Sequence, residues 1–313
     1  MKQDAPFAAQ IELVEGCNLR CTFCGVNGIR GTERTYKYMT LKTANNIAKA
    51  MSAAGWNPRI EFAMHGEPTL HPDAPAIVAI FRKWFPKNSI LMLSNGGGLV
   101  KESAARVAAL MAAGLNTLGL DEYDGINLVP KIMEQVKSTP GYEVFTYPDD
   151  PDGNPHRRTN VRRVVHIRPI NTNTEGTHAT LNNHAGAGAP KNDRGMGKRC
   201  AKPFREIAFR WDGSVAICCN DWRGELALGN INTDTLASIW DGPVAQAARK
   251  KLYNGLRDFG PCNGCDATSY RVGLLPDKMG KQTLPKPSKK DLEVLATALR
   301  RKPLTKPVKR EWE

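Results

Sequence analysis

Between Gln10 and about Arg168, short β-prone runs alternate with longer runs of helical periodicity, and this alternation limits the fold more than any other feature. Strand, helix and strand in succession is the pattern of βα units wrapped around a parallel sheet. The pattern predicts strands at residues 9–14, 59–64, 89–94, 117–121, 142–147 and 161–170, and helices at 41–54, 74–84, 101–113 and 129–138. Six strands with intervening helices fit an α/β fold, an open, partial (β/α)6 barrel of the TIM type.

Two stretches interrupt the rhythm. Residues 148–160 are rich in Asp and Pro, and 171–199 are rich in Asn, Gly and Thr. Both read as loops, the second as a substrate lid, a domain connection or a plain linker. From Cys200 the pattern changes to a hairpin, 206–211 and 214–219, turning on Asp212-Gly213, followed by a helix near 236–256. The last segment holds Pro285, Pro287, Pro303 and Pro307 around one helical stretch and reads as a solvated appendage. The expected domains are therefore 1–199, a barrel; 200–275, a small hairpin-plus-helix domain; and 276–313, a basic tail.

A chain of 313 residues buries a full core without disulfide staples. It has no signal-like start and no run of about 18 apolar residues, so the expectation is a cytoplasmic protein with no membrane association. In a reducing compartment its eight cysteines are ligands, nucleophiles or buried thiols. The net charge of +13 points to an anionic partner, and residues 276–313 supply net +6 of it.

Seven cysteines fall into two groups. In Glu15-Gly-Cys-Asn-Leu-Arg-Cys-Thr-Phe-Cys24, three thiols follow a predicted strand and sit on the loop at its C-terminal end, the face that carries chemistry in βα barrels. Thiolates suit iron–sulfur clusters or zinc, both of which commonly take four ligands. Only three are local here, so a cluster would keep one iron open for a cofactor; a zinc knuckle or three buried thiols are the alternatives. In the second group Cys200, Cys218, Cys262 and Cys265 supply four thiolates, enough for a whole cluster or a structural zinc. Cys219, next to Cys218, would point the other way on a strand, as a packing residue or free thiol, with a substrate ligand or catalytic thiol as the alternative.

The spacing Cys17-x3-Cys21-x2-Cys24, with aromatic Phe23 before the last cysteine, resembles the defining motif of the radical S-adenosylmethionine (SAM) superfamily. The resemblance implies a [4Fe-4S] cluster on these three cysteines whose open iron binds SAM, reductive cleavage of SAM to a 5'-deoxyadenosyl radical, and hydrogen abstraction from a substrate carbon. It also implies an external reductant such as flavodoxin or ferredoxin. His65-Gly66-Glu67-Pro68 stands where the family carries a glycine-rich segment meeting the SAM ammonium, so Gly66 and Glu67 are candidate SAM contacts, while His65 has a packing or hydrogen-bonding role as its alternative. Ser94-Asn95-Gly96 is similar to the family's Thr-Asn-Gly at the ribose or carboxylate of SAM. Asp121 and Arg168, at the ends of later strands, reach the same mouth or form ordinary salt bridges.

Cys200, Gly213, Cys218 and Cys262-Asn-Gly-Cys265, with Leu228-Gly229-Asn230-Ile231, resemble the SPASM/twitch extension of radical SAM enzymes, in its shorter form with one auxiliary [4Fe-4S] cluster. The net reaction implied is of oxidoreductase or isomerase type, and no catalytic acid, base or radical residue is identified. The charge makes a nucleic-acid-linked or nucleotide substrate, such as a modified base in DNA or RNA, the first expectation, with Arg157-Arg158, Arg162-Arg163, Lys198-Arg199, Arg249-Lys250-Lys251 and the tail following phosphates. An acidic peptide undergoing maturation and dehydrogenation of a small molecule are the enzymatic alternatives. A non-enzymatic, metal-dependent nucleic-acid-binding protein is the alternative from another class.

Overall fold

The computed structural model describes residues 3–29, 36–123, 128–147, 159, 161–170, 182–267 and 284–304. Its framework is a nine-stranded sheet of β1 (Ala8–Ile11), β4 (Arg59–Phe62), β5 (Ile90–Ser94), β6 (Thr117–Tyr123), β7 (Glu143–Tyr147), β8 (Arg163–Ile170), β9 (Glu206–Phe209), β10 (Ser214–Ala216) and β11 (Ala227–Asn230). The order across it is β11-β10-β9-β1-β4-β5-β6-β8-β7. Every neighbouring pair from β9 to β7 is parallel, and the two pairs involving β10 are antiparallel. A separate ribbon joins β2 (Val14–Glu15) to β3 (Lys37–Tyr38).

The six expected parallel strands all form, with two departures in arrangement. β8 lies inside, between β6 and β7, which leaves β7 at the edge. The hairpin does not stand apart as expected: β9 pairs in parallel with β1, Ala8 opposite Glu206 through Ile11 opposite Phe209, so one sheet runs through both parts of the chain. Pairing of strands so distant in sequence leaves no local pattern to read.

Helices α1 (Leu41–Ala53), α2 (Ala74–Trp84), α3 (Ser103–Ala112) and α4 (Leu128–Val136) cover the sheet. Thr40 caps α1 by accepting the Thr43 amide at 3.1 Å, one of the donors a helix start leaves unpaired. Strand side chains Ile11, Ile60, Phe62, Met92, Leu118 and Val164 meet Ile47, Met51, Ile77, Phe81, Val107 and Ile132 from the helices in one buried core. β1 and β4 are buried along their whole length, as a parallel strand covered on both faces must be.

After α5 (Lys202–Arg205) and the hairpin, the single helix expected near 236–256 is two, α6 (Leu236–Trp240) and α7 (Pro243–Tyr253). Gly242 is extended and Pro243 has no amide to donate, so α6 ends and α7 begins with proline in its first turn. The tail also differs from a solvated appendage. Its helix α8 (Lys289–Leu299) buries Leu295 and Ala298 against Ala248, Leu252, Phe259 and Cys262, because its apolar residues recur at helical spacing on one face. Ser288 and Asp291 close a capping box, and Asp291 pairs with Lys250 at 2.9 Å. Among the described residues no helix is long and apolar enough to cross a membrane.

Candidate active site and auxiliary thiol site

The first site begins where β1 stops. The chain bends through Glu12 and Leu13, resumes as β2, and turns at Gly16 into the cysteine loop. Glu67 donates its amide to the Gly16 carbonyl at 2.9 Å, so the Gly66-Glu67 segment after β4 lies backbone to backbone against that loop. Gly66 has φ +54°, and a Cβ there would stand 1.9 Å from the Val14 carbonyl oxygen; only glycine fits. Cys17 Sγ accepts from the Leu19 amide at 3.3 Å and from Asn95 Nδ2 at 3.2 Å, and the Cys24 amide donates to the Cys21 carbonyl at 3.0 Å.

These loops enclose a cavity of about 640 Å³ lined by Cys17, Cys21 and Cys24 together with Phe23, Gly66, Glu67, Ser94, Asn95 and Asp121. The sequence candidates from four different βα units therefore meet at the C-terminal ends of the parallel strands. Arg168 lies on β8, with its side chain outside the described residues. Glu67 Oε1 accepts from the Thr69 amide at 2.9 Å and from Ser94 Oγ at 2.6 Å, and Oε2 accepts the Asn95 amide at 2.7 Å. Burial raises its carboxyl above the usual range and these hydrogen bonds offset part of the rise. Burial, and next the neighbouring Glu67, push Asp121 up to about 7. The Phe23 and Tyr123 rings lie 6.0 Å apart across the mouth.

Trp222, His184, Tyr123, Tyr147 and Asn182 also line the cavity, although sequence reasoning passed over all five. Trp222, four residues after Cys218, stacks on His65 at 4.1 Å and joins Val26, Ile29 and Ala187 in a buried cluster against which Cys17 and Cys24 pack. A Cβ on Gly25 would meet the indole at 2.7 Å, so this glycine lets the first cysteine loop close on it. His184 Nδ1 accepts the Gly25 amide at 3.1 Å, which ties residues 182–199 to the site in place of the bare linker alternative; 171–181 and nearly all of the 148–160 loop lie outside the described residues. His65 does have a hydrogen-bonding role: Nδ1 meets Glu12 at 3.2 Å and Nε2 meets the Cys219 carbonyl at 2.7 Å. Arg210 reaches Glu12, Glu15 and the Trp222 carbonyl, locking the hairpin to the barrel. Burial opposes ionisation of Glu12, but Arg210 and His65 more than compensate and hold its carboxyl below the usual range.

The second group lies beside the hairpin. Cys200, Cys218, Cys262 and Cys265 are all buried and all outside any disulfide. Gly264, at φ +84°, permits the tight Cys262-x2-Cys265 turn, in which the Cys265 amide donates to the Cys262 carbonyl at 3.2 Å. Cys200, Cys218 and Cys262 share one buried cluster, and the turn sets Cys265 beside Cys262. Burial pushes Cys218 and Cys262 well above the ordinary thiol range and Cys200 less far, so bare thiols here stay protonated until a metal displaces the proton. Among the described residues no three His, Cys, Asp or Glu side chains converge on one ion. An iron–sulfur cubane takes one thiolate per iron at separate corners, so it asks for no such convergence, and both donor sets consist of the soft thiolates it takes.

Cys219 is turned away from this group. Its Sγ lies 3.2 Å from Lys202 Nζ and 3.3 Å from Glu206 Oε1, and burial, with Glu206 next, pushes it up to about 12. The basic segments are partly structural: Arg163 is buried and bonds Thr117, Arg249 is buried against Trp240, Lys250 pairs with Asp291 and Lys251 with Asp258. Arg157 and Arg158 lie outside the described residues. No Lys or Arg is among the described residues lining the cavity.

Residues 11–133 match the Radical SAM superfamily, and residues 200–266 match SPASM, an iron–sulfur cluster-binding domain. The chain therefore carries a radical SAM domain followed by a SPASM domain. Those two domains imply SAM and two [4Fe-4S] clusters, and a radical SAM enzyme needs an external reductant. The crystal structure of BtrN in complex with AdoMet and 2-DOIA is similar at 18% identity over 85% of this chain and 95% of that one, TM-score 0.64. Selenomethionine BtrN in an open conformation is similar at 17% identity over 85% and 94%, TM-score 0.59. A stretch of 112 residues is 31% identical to GTP 3',8-cyclase of Paenarthrobacter nicotinovorans, covering 36% of this chain but only 30% of that protein.

Proposed function

We propose that the enzyme oxidises a small neutral or cationic molecule bearing hydroxyl or amino groups, by removing a hydrogen atom from carbon. The observation that carries this is the cavity: about 640 Å³, with Glu67 and Asp121 in its wall and no Lys or Arg among the described lining residues. That volume lies within the range of a site for one drug-sized ligand, so SAM leaves space for a small substrate and little for a polymer segment. In this reading Cys17, Cys21 and Cys24 hold the first cluster, and Cys200, Cys218, Cys262 and Cys265 hold the second. Gly66, Glu67, Ser94, Asn95 and Asp121 surround SAM and substrate, Arg168 pairs with the SAM carboxylate rather than with the substrate, Phe23 closes the mouth, and a flavodoxin or ferredoxin supplies the electron. Residues 1–199 and 200–275 are the two working units.

When bound, the first cluster with SAM supplies the radical that takes the hydrogen atom, and the second supplies a one-electron acceptor. Glu67 fixes the segment that faces SAM, its carboxylate held by Thr69, Ser94 and Asn95. Asp121, pushed up to about 7, accepts the proton released from the substrate heteroatom near neutral pH. Trp222 and Phe23 shield the reacting carbon from water.

The GTP 3',8-cyclase likeness favours a second reading, a nucleotide substrate. Reconstituted enzyme given SAM, a reductant and either amino- or hydroxyl-bearing ring compounds or nucleotides separates the two through 5'-deoxyadenosine formation and deuterium transfer from labelled substrate. Deuterium transfer from the ring compounds is the expected result, and transfer from nucleotides alone overturns the first reading. Asp121→Asn should keep SAM cleavage while slowing product formation about 100-fold or more.

A further inference from the structure

Arg257 is 1% exposed, yet among the described residues its guanidinium hydrogen-bonds only to backbone carbonyls. Nε donates to the Lys198 carbonyl at 2.9 Å, Nη2 to the Arg199 carbonyl at 3.1 Å, and Nη1 to the Cys265 and Ala267 carbonyls at 3.2 and 3.0 Å. No carboxylate among the described residues forms an ion pair with it. Gly195 sits over this contact: a Cβ there would stand 2.1 Å from the Cys265 carbonyl oxygen and 2.5 Å from Arg257 Nη1. The local sequence is thus shaped to let a buried cation press against the backbone of an auxiliary-site cysteine.

A buried charge without a counter-charge is costly, because hydrogen bonds to carbonyls replace only part of the lost hydration. Three other charges near the four thiols are matched or tied. Lys202 pairs with Glu206 at 2.9 Å, Asp221 accepts the Glu225 and Leu226 amides, and Asp266 accepts the Asn183 amide with Arg194 4.0 Å away. Through Nη1 the guanidinium bonds the backbone of Cys265 itself, so this charge stands directly beside the thiol group. Among the described residues, the negative charge placed to answer Arg257 is that of the occupied thiolate site, since four thiolates outweigh the positive charge of an iron–sulfur core by about two units.

We infer that Arg257 is the fixed counter-charge of the auxiliary site and makes a cluster held there easier to reduce. The inference rests on the reading of that site as an iron–sulfur cluster, and it deepens the proposed oxidation, because an electron acceptor gains from a nearby uncompensated cation. Arg257 is a positioning residue that acts through the field it sets and through the Cys265 backbone it holds.

The test is an anaerobic redox titration followed by electron paramagnetic resonance, with iron counted in each sample. Arg257→Met should make reduction of the auxiliary cluster about tenfold less favourable, about 59 mV for a one-electron couple, with the midpoint of the first cluster unchanged. Arg257→Lys, which keeps the charge, should retain most of the wild-type midpoint. If the Met variant does not fold, Arg257→Gln, which keeps amide donors for the Cys265 and Ala267 carbonyls, takes its place. An unchanged auxiliary midpoint on removing the charge, or an equal fall in the Lys variant, overturns the inference while leaving the cluster in place. Zinc in the wild-type protein with no second couple overturns the reading of the site and the inference together.

Discussion

Cys17, Cys21 and Cys24 stand on one loop, half-buried and facing a cavity, whereas Cys200, Cys218, Cys262 and Cys265 come from three separate segments and are buried in apolar packing. Around the first set the neighbours are Asn95, Glu67 and Asp121; around the second they are Leu252, Phe259 and Leu295. The first site is arranged for access by a ligand and the second for retention of what it holds. A thiol group that admits a cofactor needs a spare coordination position and polar walls, while one that only exchanges electrons gains from burial, which tunes its potential and keeps water out.

Replacement of Cys17 by Ala should give the largest effect: SAM cleavage falls to background while iron at the second site remains, measured by 5'-deoxyadenosine and iron content. Loss of iron from both sites would break the contrast. Gly66→Ala comes next, because the Cβ overlaps the Val14 carbonyl and φ is positive; strain of at least about 1–3 kcal/mol should lower the melting temperature and abolish SAM binding. Leu295→Ala should cost about 2–5 kcal/mol and release iron from the second site before the first, followed by unfolding with simultaneous iron assay.

The smallest effect belongs to Asp291. Burial opposes its ionisation, but Ser288 and Lys250 outweigh it and lower its carboxyl to about 2. Because the folded value lies below the unfolded one, its contribution is present above about pH 4 and is lost as pH falls toward 2. Asp291→Asn should therefore flatten the acid limb of the stability curve slightly, with at most about 1 kcal/mol at neutral pH for this surface pair. A larger loss would show that α8 depends on the ion pair more than on Leu295.

What was legible in the sequence follows the range of the forces involved. The six parallel strands and their helices were readable because strand and helix periodicity is local, and the cysteine triplet because its three members share one loop. The exchanged order of β7 and β8, the parallel pairing of β9 with β1 and the docking of α8 were not, since each depends on surfaces distant in sequence. The split at Gly242-Pro243 was readable in principle, but the surrounding apolar periodicity concealed it. Trp222 stood in plain view after Cys-Cys-Asn-Asp, yet nothing local says that an indole there crosses to His65 and the first cysteine loop. Arg257 carried no motif at all; its isolation from acids among the described residues emerges only in three dimensions.

The continuous sheet also works as a ruler. Cys17 follows the β1–β2 segment and Cys218 follows β10, which is two strand spacings away across β9. Each spacing is about 4.8 Å and is held by backbone hydrogen bonds that side-chain changes barely disturb. Surface loops can therefore lengthen, shorten or change partners among descendants of this chain without altering the interval between its two thiol sites. Substrate choice is free to drift while the electrical layout is inherited intact.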